Sequence, residues 1–293
     1  METVQVIGAG FMGAGIAQVA AQSGRRVFLT ESNEQSLDKA LAGLRWSLGK
    51  LASKGLLRDS AEEVFGRITP SPDLSPAAEA DVAIEAVFEK ESLKKEIFQE
   101  LDRLARPDAI LASNTSSIPI TRLAAVVARP ERVVGLHFFG PVPFMGLVEV
   151  VKGEKTSEEY FQRSVDFVTS LGKTPVKVKQ DIPLFVMNRI FGAAFSEAAE
   201  LVEKGVASPE DVDLGMRLGY GWNVGPFEIA DNAGLDTWLL IARAVRELGA
   251  GDIFRSEKLI EKMVAQGRLG RKVGQGFYRY TADGKKVPFE SQD

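Results

Sequence analysis

Cysteine is absent from this chain and histidine occurs once, at His137. The first absence excludes disulfides and thiolate metal centres. The second leaves too few imidazoles for the usual catalytic zinc site. Long apolar runs are missing as well, and no window approaches the ~18 uninterrupted apolar residues of a membrane span. Neither sign of charge dominates: 36 Lys and Arg against 40 Asp and Glu leave −4, which gives no electrostatic case for nucleic acid as a partner. The first strand is expected almost at Met1, leaving no room for a secretory leader. A cytoplasmic protein is the expectation from these absences. What remains is ordinary for a globular enzyme, 45% hydrophobic and 26% charged over 293 residues, with room for one large domain and a smaller one.

The most informative stretch runs from Val4 to Ala17. A β-branched run, Val4-Gln5-Val6-Ile7, breaks into Gly8, Gly10 and Gly13, then continues at helical spacing through Ile16, Ala17, Val19 and Ala20. Gly8 suits the tight turn out of a strand, Gly10 a close backbone approach by a pyrophosphate, and Gly13 close packing of helix on strand. The N–H groups that open the helix then face the phosphates. A second apolar run, Arg26 to Thr30, ends in Glu31, 18 residues beyond Gly13. A carboxylate there accepts both hydroxyls of an adenosine ribose and repels a 2′-phosphate, so the pattern predicts NAD rather than NADP.

Further along, Leu37, Leu41, Leu44, Leu48 and Leu51 mark one face of a long helix, with Ser47, Lys50 and Lys54 beside the stripe. A solvated basic face is the plainer reading of those polar groups, and contact with an anionic substrate the other. Residues 81–87 read as a buried strand, followed by a helix that turns Leu93, Ile97, Leu101 and Leu104 inward. Glu89 and Lys94 sit at that junction, on the strand edge where doubly wound sheets bind ligands. The strand at 109–112 leads into Ser113-Asn114-Thr115-Ser116-Ser117, of which Ser117 reads as a cap for a helix beginning near Ile118 or Pro119. His137 and Glu149, twelve residues apart, each interrupt an apolar strand. Singly, either is more often a satisfied core residue; together they make a candidate acid–base pair. A helix over 157–171 and a strand over 175–179 close this region, and a linker follows at 180–183. From Phe185 onward the pattern is helical: Ser208-Pro209 is a strong helix start, Gly234-Leu235-Asp236 opens a helix expected to reach Leu248, and Phe277-Tyr278 is strand-like.

These residues resemble the 3-hydroxyacyl-CoA dehydrogenase family, the short-chain L-specific enzymes of fatty-acid and butyrate metabolism. The likeness is carried along nearly the whole chain by the glycine turn and Ser113 to Ser117, by Gly135-Leu136-His137-Phe138-Phe139 and Leu147-Val148-Glu149, and by Asn188-Arg189, Gly225-Pro226-Phe227-Glu228 and Gly274 to Tyr278. It implies a Rossmann-type, doubly wound α/β sheet domain over 1–183, with a helical excursion at about 34–66. An all-α domain over 184–293 follows, usually dimerising, with the active site between the two. By motif position His137 is the implied base and Glu149 its partner, while Ser116 and Asn188 face the substrate. Gly8, Gly10, Phe11, Met12, Gly13, Glu31, Glu89, Lys94, Ser116 and Lys272 are the implied NAD contacts, and Ser47, Lys54 and Ser116 the contacts to an acyl-CoA. The implied reaction is reversible, NAD-dependent oxidation of an L-3-hydroxyacyl-CoA, short-chain and of the 3-hydroxybutyryl-CoA kind. A sister branch, gulonate dehydrogenase and lens crystallin, would instead imply a small polyol acid, and a non-catalytic NAD-binding protein is the rival from another class. Three positions depart from the family pattern: Gly140 replaces Asn, Gly146 replaces Lys, and Leu184 replaces Gly. Restoring asparagine at 140 is expected to add a cofactor contact.

Overall fold

Short apolar strands alternating with helices lay down a single eight-stranded sheet in the first part of the chain. The computed structural model describes residues 1–247, 249 and 255–287, and these divide into two compact units, Met1–Ile182 and Pro183–Asp293. The first unit runs β1 (Thr3–Ile7), α1 (Phe11–Gln22), β2 (Arg26–Thr30), α2 (Glu34–Ser53), α3 (Ala61–Gly66), β3 (Ile68–Ser71), β4 (Val82–Glu85), α4 (Glu91–Leu104), β5 (Ile110–Ser113), α5 (Ile120–Ala124), β6 (Val133–Phe138), β7 (Leu147–Lys152), α6 (Glu158–Ser170) and β8 (Thr174–Val178). The sheet order is β3-β2-β1-β4-β5-β6-β7-β8. Every neighbouring pair is parallel except β6 and β7. β1 lies between β2 and β4, so the chain leaves it in opposite directions and a crevice opens at its carboxyl end. Val4, Val6, Leu29, Ile84, Ile110 and Leu136 fill the core beneath that edge.

Three local expectations need correction. On α4 the buried ridge is Lys94, Phe98 and Leu101, while Leu93, Ile97 and Leu104 stay half-buried. An ion pair draws Lys94 inward, and a hydrophobic pattern does not register it. The helix after the serine cluster starts only at Ile120, and the Ser117 hydroxyl donates to Glu89 instead of capping it. The strand-like Phe277-Tyr278 precedes the observed strand by two residues. Strand β3 leaves no clear mark in the sequence because Pro70 interrupts it, a residue that an edge strand tolerates.

The second unit contains α7 (Met187–Glu203), α8 (Pro209–Tyr220), α9 (Pro226–Ala233), α10 (Leu235–Glu247), α11 (Glu257–Ala265) and a small antiparallel ribbon of β9 (Arg279–Tyr280) with β10 (Lys286–Val287). The expected end of α10 at Leu248 lies outside the described residues. Phe195, Phe227 and Phe277 pack ring against ring at 4.6–5.9 Å. Two buried carboxylates tie the helices to the tail. Asp213 accepts the N–H groups of Phe227 and Glu228 at the start of α9 and the Tyr278 hydroxyl, and Asp231 accepts the N–H groups of Phe277 and Tyr278.

Candidate active site

The turn from β1 to α1 has the shape its glycines require. Gly8 has φ of +99°, and a Cβ there would lie 2.7 Å from the carbonyl oxygen of Ala86. At Gly13 a Cβ would meet the Gly8 carbonyl oxygen at 1.8 Å, so strand and helix touch backbone to backbone. Gly10, by contrast, has nothing within 4 Å of a Cβ position, which leaves the outer side of the turn open. It is also the N-cap of α1 and offers no side-chain bond to the first turn, so that turn's N–H groups are available to an anion. Beside it, Glu31 accepts the N–H groups of Ala9 at 3.2 Å and Asn33 at 3.1 Å, which fixes its carboxylate at the end of β2. An open glycine turn, an uncapped helix start and an anchored acid fit a dinucleotide.

His137 and Glu149 stand directly opposite one another in the antiparallel register of β6 and β7. Both are buried, and His137 Nδ1 lies 2.7 Å from Glu149 Oε2. An ionised carboxylate only accepts, so Nδ1 carries the proton and Nε2 is the basic nitrogen of the neutral ring. Phe139 covers the imidazole with ring centroids 4.5 Å apart. The neighbouring residue is held from β5: the N–H of Phe138 donates to Asn114 Oδ1 at 2.9 Å.

Between these two features lies a cluster of charge. Glu89 Oε1 accepts the Thr115 hydroxyl at 2.5 Å, the Ser117 hydroxyl at 2.8 Å, and the N–H groups of Ser116 and Ser117 at 3.1 and 3.2 Å. Its other oxygen lies 3.1 Å from Lys94 Nζ. Burial raises the Glu89 carboxyl, but the Lys94 ammonium and the two hydroxyls outweigh it and hold the group below the ordinary range. Lys94 is itself buried, 2.6 Å from Glu85 Oε1. Sequence reasoning missed Glu85 and Asn114. The available signal for Glu85 was an acid ending an apolar strand, the same mark that singled out Glu31.

On α2, Ser47 is half-buried, and Lys50 and Lys54 are exposed. Among the described residues neither lysine forms an ion pair. Trp46 projects from the same helix with 69% of its surface exposed, and Lys50 Nζ lies 5.8 Å from its ring centre. In the second unit, Asn188 occupies the first turn of α7, and Lys272 is paired with both oxygens of Asp236 at 2.6 Å.

Comparison with known proteins gives a consistent result. The NAD binding domain of 3-hydroxyacyl-CoA dehydrogenase matches residues 3–182, and the C-terminal domain of the same enzyme matches residues 185–280. The chain belongs to the 3-hydroxyacyl-CoA dehydrogenase family. A probable 3-hydroxybutyryl-CoA dehydrogenase of Deinococcus radiodurans is 46% identical over 94% of this chain and 99% of its own. The mitochondrial hydroxyacyl-coenzyme A dehydrogenase of Rattus norvegicus is 42% identical, over 94% and 90%. The crystal structure of (S)-3-hydroxybutyryl-CoA dehydrogenase from Ralstonia eutropha superposes with a TM-score of 0.89 at 39% identity, covering 96% of this chain and 99% of that one. No helix of the described residues is long and apolar enough to cross a membrane.

The departures from the family pattern acquire physical content here. A Cβ at Gly140 would lie 2.7 Å from Phe11 Cε1 and 3.2 Å from Met12 Sδ, so the Phe11 ring holds the space an asparagine would enter. At Gly146 a Cβ meets nothing within 4 Å, and its carbonyl accepts the N–H of Thr174. Leu184 stands where the family's glycine does and keeps a φ of +67° with its side chain fully buried.

Proposed function

We propose that this protein catalyses the reversible, NAD-dependent oxidation of a short-chain L-3-hydroxyacyl-CoA, of the 3-hydroxybutyryl-CoA kind, to the 3-ketoacyl-CoA. The observation that carries the reading is the buried 2.7 Å contact of His137 with Glu149, on a sheet whose glycine turn fits the dinucleotide. Bound NAD supplies the hydride acceptor for oxidation, and NADH the donor for the reverse. Oxidation of an alcohol carbon also requires its hydroxyl proton to leave. His137 Nε2 takes that proton as general base, and Glu149 fixes the tautomer and stabilises the imidazolium that results. Gly8, Gly10, Phe11, Met12, Gly13 and Glu31 hold the cofactor in this reading, with Glu89, Lys94 and Lys272 as further contacts. Ser116 and Asn188 are assigned to the substrate oxygens.

The CoA nucleotide is assigned to α2. Its Ser47, Lys50 and Lys54 offer phosphates one hydroxyl and two cations without an ion-pair partner among the described residues, and Trp46 an exposed ring beside them. Self-association through the second unit is part of the same proposal. Its support is the exposure of Ile190, Leu218, Tyr220 and Leu240 on α7, α8 and α10, large apolar groups of the kind that mark an interface. A cytoplasmic location belongs to it too, to be checked by fractionation. The deciding assay follows NADH absorbance at 340 nm with acetoacetyl-CoA. Turnover supports the reading; none with the CoA ester, or equal turnover with a free 3-keto acid, defeats it.

A further inference from the structure

Three consecutive hydroxyl side chains follow β5, and only one is unspent. Those of Thr115 and Ser117 donate to Glu89. Ser116 gives Glu89 its N–H, while its hydroxyl has no hydrogen-bond partner among the described residues. The loop is therefore held to Glu89 by four hydrogen bonds, and of its three hydroxyls only that of Ser116 is left without a partner among the described residues. The charge that holds it is not itself free to move. Glu89 pairs with Lys94, and Lys94 is drawn into the core by Glu85, which is fully buried. The second oxygen of Glu85 accepts the Ser113 hydroxyl at 2.6 Å, and Ser113 Oγ in turn accepts the N–H of Thr115 at 3.1 Å. Glu85 Oε1 also accepts the N–H of Val87 at 2.7 Å. One carboxylate thus ties the end of β4, the end of β5, helix α4 and the hydroxyl loop together.

Stability does not account for that arrangement. A buried ion pair is commonly no better than apolar residues of the same volume, and the buried pair here is Glu85 with Lys94, with Glu89 at its partly exposed end. Positioning does account for it. We infer that Glu85 is a positioning residue for the Ser116 hydroxyl, acting through Lys94 and Glu89 on one side and through Ser113 on the other. Its catalytic consequence rests on the proposed role of Ser116 at the substrate; its structural half does not.

Two measurements on Glu85→Gln, which keeps the size and removes the charge, test this in the full-length protein. Amide hydrogen exchange in residues 115–118 is expected to quicken by about tenfold, the equivalent of roughly one net hydrogen bond, while β1 and β5 exchange as before. In kinetics, Glu85→Gln lowers kcat in the wild-type background and adds little to Ser116→Ala, because the two changes remove the same contact. Unchanged exchange in 115–118, or an equal rise across the whole sheet, overturns the positioning claim. Losses that multiply in the double variant overturn the route through Ser116. A wild type without turnover on acetoacetyl-CoA defeats the functional reading instead, and exchange alone then decides the role of Glu85. Should Glu85→Gln not fold, Ser113→Ala takes one donor from the same carboxylate and carries the same expectations through both measurements.

Discussion

Deleting the basic nitrogen of His137 removes the chain's one imidazole and nothing else from the chemistry. His137→Gln is expected to lower kcat by about 10²–10⁴-fold, the range for general acid–base catalysis, with NADH binding retained in a fluorescence titration. Near-wild-type turnover by a folded variant would remove His137 from the mechanism. Glu149→Gln keeps the shape but offers no charge to an imidazolium, so kcat falls while binding persists. Gly140 gives a second test at this scale. Asparagine there must displace the Phe11 ring, which is 71% exposed and able to swing at some cost. Gly140→Asn alone is therefore expected to weaken NADH binding, against the simpler expectation from the family pattern. Tighter binding by the single variant would show that the ring does not defend that space. At Leu184 two effects compete. A left-handed backbone costs a bulky residue about 1–2 kcal/mol, whereas truncating a buried leucine costs about 2–5 kcal/mol. Burial wins, so Leu184→Gly should lower the urea midpoint despite restoring the family's residue.

Elements differ in how much of their role their own residues declare. The turn from β1 to α1 is legible because backbone proximity demands glycine at fixed spacing, and Glu31 because an acid ending an apolar strand has few structural excuses. The stripe of α2 is legible in its buried part, Leu44, Leu48 and Leu51. The buried face of α4 is not, since Lys94 is drawn inward by Glu85, which is distant in sequence from Ser113, whose hydroxyl it also holds. Pairings of that sort leave no periodic trace. Two predictions belong here. Lys54→Ala on the end of α2 should raise KM for the CoA ester and leave kcat nearly unchanged, as loss of uniform binding does. Trp46→Ala should act in the same direction, and neither should matter for a substrate truncated before the nucleotide. The Glu89 clamp predicts a pH dependence. Because its carboxyl titrates lower in the fold than the ~4.3 of an unfolded chain, its stabilisation is complete above that value and fades as pH falls toward the folded one. Urea midpoints of wild type and Glu89→Gln should therefore converge on acidification. A gap that stays constant from pH 7 to pH 3 would contradict the clamp.

At the scale of the whole molecule, the two units are built on different principles. The first is a sheet whose ligand edge is set by strand order, and the second a set of helices pinned to a tail by Asp213 and Asp231. Its exposed apolar side chains, Leu218 and Tyr220 both at 79%, are the proposed contact with a second copy. Sedimentation should find a dimer that Leu218→Glu weakens; a wild-type monomer at micromolar concentration would end that proposal. The hairpin of β6 and β7 has a consequence beyond its geometry. Strand register brings His137 opposite Glu149, so the proposed acid–base pair is encoded apart from the turn at 139–146 that joins the two strands. Two of the three departures from the family pattern, Gly140 and Gly146, fall within that turn. In the proposed mechanism the turn can therefore change, and with it what lies against the imidazole, while the pairing of His137 with Glu149 is kept.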